Sequence, residues 1–175
     1  MARLAQIRVA FFKGDRHKLH HRFVRWWTKS PYSHAEIVLD DNQTWVSISP
    51  FLYTRVAARI RTTVADDEWS YLDFNVSQGE LCALRDFISE TTGDGYDWIG
   101  MILSQIFPII IKGKGRWYCS QWIAHALSWS GIVKWKKLGI YEFPDLHPGK
   151  LYEILSTTAS LPSEDTEDTE DTEDT

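Results

Sequence analysis

Gly115-Arg116-Trp117-Tyr118-Cys119-Ser120-Gln121-Trp122-Ile123-Ala124-His125-Ala126-Leu127 is the stretch whose reading decides the fold. The Gly113-Lys114-Gly115 run ahead of it breaks the backbone, and a helical pattern then begins with Cys119 in or just before its first turn. Cys119, Trp122, Ile123, Ala126, Leu127 and Ser130 recur at the spacing of one helix face, so the sulfur points inward with the apolar side chains. A thiol at a helix N-terminus meets the positive end of the helix dipole and unpaired N–H groups, and both favour thiolate. A nucleophilic cysteine needs that setting together with a base close in space. The same position also suits a cysteine that acts only as a small buried hydrophobe. The stretch by itself leaves both readings open.

The chain around it has 175 residues, enough for one domain with a sizeable core. A hydrophobic fraction of 43% with nine Trp, seven Tyr and eight Phe marks an aromatic-rich globular protein. The net charge of −5 is unevenly placed. The segment from Ser163 onward holds eight of the 24 acidic residues and no basic one, which leaves 16 acidic against 19 basic residues, a balance of +3, in the body. Two cysteines make no disulfide framework, and Cys82, set among Glu80, Leu81, Leu84, Phe87 and Ile88, reads as core. Met1-Ala2-Arg3 leads straight into a strand-like run without an apolar signal region, so synthesis in a reducing cytoplasm is the expectation. The most apolar stretch, Ile99 to Ile111, carries Pro108 and falls short of the roughly 20 residues a membrane span takes. No transmembrane segment is expected.

Upstream, Ile7 to Phe12 reads as a strand stopped by Lys13-Gly14-Asp15. Asp15 then caps a basic amphipathic helix to Trp27, with Arg16, Lys18, Arg22, Arg25 and Lys29 on its polar side. His17, His20 and His21 have a metal-compatible spacing, but no local carboxylate or cysteine completes a set and the basic neighbours repel a cation. A metal site is not expected. After the Ser30-Pro31-Tyr32-Ser33 turn, His34 to Leu39 forms a strand whose partner in an antiparallel hairpin is Thr44 to Ile48. Period two puts His34, Glu36 and Val38 on one face and Ala35, Ile37 and Leu39 on the other. Further strands span Arg55 to Thr63 and Trp69 to Val76, and the Ser77-x-x-Glu80 capping box opens a helix to Thr91. Tyr96 to Phe107 has an apolar helical pattern, the cysteine helix closes at Gly131, and Lys150 to Leu155 forms a last short helix. Residues 1–160 thus read as one domain. Residues 161–175, with their repeated Glu-Asp-Thr, bury too little apolar area to offset ordering entropy and are expected to be disordered.

A thiol nucleophile needs an imidazole to handle its proton and a third group to orient that ring. Of the six histidines, His125 lies on a different face of the cysteine helix, His147 sits in a turn, and His34 stands at the rim of a strand. Spacing alone does not choose among them. Ser33-His34-Ala35-Glu36-Ile37-Val38, then Trp117-Tyr118-Cys119-Ser120-Gln121-Trp122, then Pro148-Gly149-Lys150-Leu151 resembles the circularly permuted branch of the NlpC-type, papain-like cysteine peptidase superfamily. YiiX-like proteins are the nearer relatives in this resemblance and lecithin:retinol acyltransferases the more distant. In the permuted branch the histidine precedes the cysteine, as here, and the resemblance covers about residues 5 to 155.

The resemblance implies an α+β, papain-like fold, with an antiparallel sheet packed against helices and the cysteine at a helix N-terminus. It implies Cys119 as nucleophile and His34 as base, with Glu36 on the same strand, or Ser47 or Ser49 on the next, as the orienting group. Tyr118 and the helix N-terminal amides become candidates for stabilising an oxyanion, and Trp117, Gln121 and Ser47 for contacting substrate. No cofactor is implied. The expected activity is thiol-based hydrolysis of an amide bond, with bacterial wall peptides as the superfamily's usual substrates. The alternative enzyme is a lipid-directed acyl hydrolase or transferase, with Ile99 to Ile111 lining an acyl pocket. From a different class comes a non-catalytic structural or interaction protein of a bacteriophage virion, with protein partners at the Arg16 to Lys29 helix or the acidic tail. Nucleic acid is not an expected partner, because no stacking or groove-reading motif joins the basic residues and the tail repels phosphate.

Overall fold

Alternation of side chains along the first strand builds the centre of the molecule. A computed structural model describes residues 4–13, 30–49, 53–62, 66–97, 115–140 and 146–159. Strand β1 (Ala5–Phe12) turns Ile7, Val9 and Phe11 into the main core and Ala10 and Phe12 toward a smaller cluster with Val38, Trp45 and Trp69. It pairs antiparallel with β5 (Trp69–Val76) on one side and with β2 (His34–Val38) on the other. The sheet continues through β3 (Thr44–Ser49), β4 (Tyr53–Ile60), β6 (Gly95–Tyr96) and β7 (Arg116–Trp117) in the order β5-β1-β2-β3-β4-β6-β7. Every pairing is antiparallel except that of β6 with β7. The protein is therefore α+β, with one seven-stranded, mostly antiparallel sheet and three helices among the described residues.

Helix α1 (Gln78–Thr91) starts at the capping box read from the sequence. Ser77 Oγ accepts the Glu80 N–H at 3.2 Å, and the Glu80 carboxylate accepts the Ser77 N–H at 2.8 Å. Leu81, Leu84, Phe87 and Ile88 face the core, each burial contributing on the order of 1.5–3 kcal/mol. Cys82 lies one position off that face and is exposed, which corrects its reading as core: a step of about 100° per residue carries it to solvent. Helix α2 (Cys119–Trp129) packs beside α1 through fully buried Trp122, whose indole N–H donates to Thr91 Oγ1 at 3.0 Å. Gly131, at φ +78°, lets the chain leave this helix in the left-handed region.

Helix α3 (Pro148–Ala159) starts earlier and ends later than the expected Lys150 to Leu155. Proline suits the first turn, where no N–H is required, and His147 Nδ1 accepts the Lys150 N–H at 3.2 Å in the manner of a cap. Gly149 sits against Ser30, so closely that a Cβ there would run into the Ser30 side chain. This contact holds the start of α3 on the turn that leads into β2. Ser30 Oγ in the same turn accepts the Tyr32 N–H at 3.1 Å.

Tyr96 does not open a helix. It is buried in the two-residue strand β6, where Gly95 N–H donates to Gly115 O and Asp97 N–H to Trp117 O. Pairing with a distant segment outweighs the local helical pattern. The remainder of that expected helix, the basic helix with His17, His20 and His21, and the acidic tail lie outside the described residues.

Candidate active site

The β2–β3 ladder opens at one end. Its residue pairs are Ile37 with Val46 and Val38 with Trp45. Continuing the register would bring Ala35 opposite Ile48, but the pairing with β2 stops at Val46, and on its other side β3 shifts register against β4 between Ser47 and Ser49. Ser47 Oγ donates instead to the Ala35 carbonyl at 2.8 Å. Helix α2 packs on β2 and β3, and the Ala35 N–H, which has no β3 partner in this register, donates to the Cys119 sulfur.

Cys119 is the first residue of α2, and Tyr118, extended at φ −110° and ψ 160°, precedes it without a side-chain cap. The Ser120 N–H of the first turn is the second backbone donor to the sulfur. Ser120 Oγ is tied to the Leu146 carbonyl, which anchors this turn to the segment before α3. Burial pushes the thiol up. The His34 charge and hydrogen bond, aided by the Ala35 and Ser120 amides, outweigh it and hold Cys119 below the ordinary thiol value.

His34 lies at the opened end of β2 with two acceptors converging on one ring nitrogen. Glu36 Oε1 is 3.2 Å from Nε2 and Ser47 Oγ is 3.4 Å from it. The Ser47 hydrogen is committed to Ala35 O, so its oxygen offers a lone pair, and both contacts require a hydrogen on Nε2. Nδ1 is then the nitrogen left to exchange a proton with the thiol. Burial works against the imidazolium, yet attraction and hydrogen bonding from the Cys119 thiolate, followed by Glu36, push His34 up to about 9.

Glu36 is 4% exposed and would be costly as an isolated charge. Burial raises its pKa, but His34, Arg59 and Arg61 together hold the carboxyl below its usual range. Arg59 Nη2 is 2.5 Å from Glu36 Oε2, and Arg61 Nη1 is 3.8 Å from the same oxygen. Arg61 lies over the rings of Trp45 and Trp69, 4.9 and 5.4 Å from their centroids. Sequence reasoning missed both arginines. The available signal was their i, i+2 spacing on a strand beside a hairpin that carries Glu36 on one face.

The remaining candidates distribute as follows. Ser47 is fully buried under His34 and occupies an orienting position rather than a surface facing substrate. Ser49, also buried, pairs with Tyr53. Tyr118 joins the main core beside the cysteine. Trp117 Nε1 donates to Asp94 at 2.8 Å while its ring meets His125 edge-on at 5.0 Å. Gln121 is half-buried on the first turn of α2. Tyr96 was not among the expected site residues; burial first, then the charges of Cys119, Tyr118 and Asp97, push its phenol well above the usual value, so it keeps its hydrogen. Among the described histidines, His125 packs on Trp117 and His147 caps α3, and His34 is the one whose ring bonds to Cys119.

Among the described residues no group of three His, Cys, Asp or Glu side chains is placed to hold a metal ion, and no helix is long and apolar enough to cross a membrane. Comparison with known proteins gives no family model, no curated protein and no solved structure that matches the chain.

Proposed function

We propose that the chain is a thiol hydrolase of the permuted NlpC-type, papain-like class, cleaving an amide bond with Cys119 as nucleophile and His34 as acid and base. The observation that carries the reading is the buried thiol–imidazole pair at a helix N-terminus, with Glu36 on the far ring nitrogen. The Cys119 thiolate adds to the amide carbonyl carbon, and N–H groups at the start of α2 are the donors suited to the oxyanion. As the tetrahedral adduct collapses, the C–N bond breaks and the His34 imidazolium gives its proton to the departing amine. Water then attacks the thioester carbonyl as His34 takes its proton, the C–S bond breaks, and the products are a carboxylic acid and the restored Cys119 thiolate. The sequence resemblance supplies the substrate class, peptide crosslinks of a bacterial wall.

The test is hydrolysis of wall peptides by the intact protein, with trapped acyl-enzyme detected by mass spectrometry. Cleavage that disappears in Cys119→Ser and His34→Ala, with an adduct on Cys119, is the expected result. A folded protein that forms no adduct with peptides or with lipid esters leaves the second reading, a non-catalytic assembly module. The burial of Cys119, 6% exposed, favours that alternative.

A further inference from the structure

Glu36 uses its two oxygens in opposite directions. Oε1 meets His34 Nε2 at 3.2 Å, and Oε2 meets Arg59 Nη2 at 2.5 Å. The contacts come from strands that are not neighbours, since β3 runs between β2 and β4. Arg59 stands opposite Trp45 in the β3–β4 register, and Trp45 stands opposite Val38, so Arg59 and Glu36 lie on the same face of the sheet. A long side chain on β4 thereby reaches across β3 to the carboxylate on β2. The charged and polar groups gathered here among the described residues are His34 and Glu36 from β2, Ser47 from β3, Arg59 and Arg61 from β4, and Cys119 from α2, with the protonated Tyr96 phenol of β6 near the sulfur.

We infer that Arg59 is a positioning residue for the thiol–imidazole pair, fixing the Glu36 carboxylate, ionised and in one orientation, against His34. The inference rests on the proposed role of the pair but extends it to a residue that acts on it through Glu36. A directional, charge-assisted hydrogen bond to one carboxylate oxygen makes Arg59 an orienting group as well as a counter-charge. Arg61, farther from the carboxylate and held by two indole faces, contributes charge without fixing the orientation. Losing Arg59 leaves a buried carboxylate with weaker compensation. Glu36 then takes up a proton more readily, the imidazolium loses support, and the thiolate loses its partner.

The readout is the pH midpoint of Cys119 alkylation in the intact protein, followed by mass spectrometry at that residue and needing no substrate. Arg59→Met raises the midpoint by about one pH unit toward the free-thiol value of about 8.5. Arg59→Lys, which keeps charge without the fork, recovers part of the shift, and Arg61→Met moves the midpoint less than Arg59→Met. In a Glu36→Gln background the Arg59 substitution adds nothing, because the path through the carboxylate is already broken. A lowered melting temperature with an unmoved midpoint, or equal shifts with and without Glu36, overturns the inference. If Arg59→Met does not fold, Arg59→Lys decides alone: an unchanged midpoint overturns it and a raised one supports it. Because alkylation is read without turnover, failure of the hydrolase reading leaves this result standing, and failure here leaves hydrolysis to be judged separately.

Discussion

The ladder between β1 and β5 joins eight residue pairs, while that between β2 and β3 joins two before the strands part. Both belong to one sheet and both have apolar neighbours, so hydrophobicity does not separate them. In the first region the inward positions of β1 are all apolar, Ser70 opposite Phe11 is the polar exception on β5, and backbone pairing is continuous. In the second, a serine hydroxyl and a cysteine sulfur meet the Ala35 backbone groups that a longer ladder would have paired with main chain. The regular half supplies a rigid frame, and the opened half gathers the polar groups of the candidate site.

The strongest way to break this division is to damage the regular half and look for a chemical effect. Phe11 is fully buried between Tyr32 and Tyr152, with ring centroids 5.5 and 5.1 Å away. Phe11→Ala costs about 3–5 kcal/mol in denaturant unfolding. The alkylation midpoint of Cys119 stays in place while the protein remains folded. Gly149→Ala comes next, at about 1–3 kcal/mol, because the new methyl group meets Ser30 where α3 rests on the turn before β2. A matching Ser30→Gly substitution restores most of the lost melting temperature.

Ser47→Ala probes the opened half. It removes the bridge to Ala35 and one acceptor at His34, costs about 1–2 kcal/mol, and, unlike Phe11→Ala, moves the alkylation midpoint. The pH dependence sharpens the same contrast. His34 has a raised pKa, so its share of stability is complete below its unfolded value of about 6.5 and is lost as pH rises through about 9. Cys119 has a lowered pKa, so its share is complete above the unfolded thiol value and is lost as pH falls through its folded value. Alkylation rises to a plateau and stays high above pH 9, because the thiolate persists. In the proposed mechanism turnover needs the imidazolium to protonate the leaving amine, so it is expected to fall above about 9. Parallel pH profiles for the two processes would contradict the assignment of His34. The smallest effect belongs to exposed Cys82: Cys82→Ser changes stability by less than about 0.5 kcal/mol and removes one alkylation phase.

Elements governed by neighbours in sequence were legible in advance. Strand β1, the β2–β3 hairpin, the Ser77–Glu80 box and the inward face of α2 all follow from local periodicity and capping. Tyr96 was misread because β6 lies between β4 and β7, both far from it along the chain and outside any local window. In the site, the helix-start position of Cys119 was readable from residues alone. The choice of His34 came from resemblance, since three-dimensional proximity is not encoded in spacing. Arg59 and Arg61 stayed invisible because their meaning arises two strands away, where a buried carboxylate needs compensation. The individual strands and helices follow from local rules; the charge network follows from register.

The Ala35 N–H donates to a sulfur atom where a regular sheet would have offered it a carbonyl. That amide is therefore a reporter whose protection against hydrogen exchange depends on the electron density of Cys119. A thiolate holds it well, a neutral thiol less, and an alkylated or acylated sulfur least. Exchange at this one backbone position registers the chemical state of the sulfur without any probe attached to it.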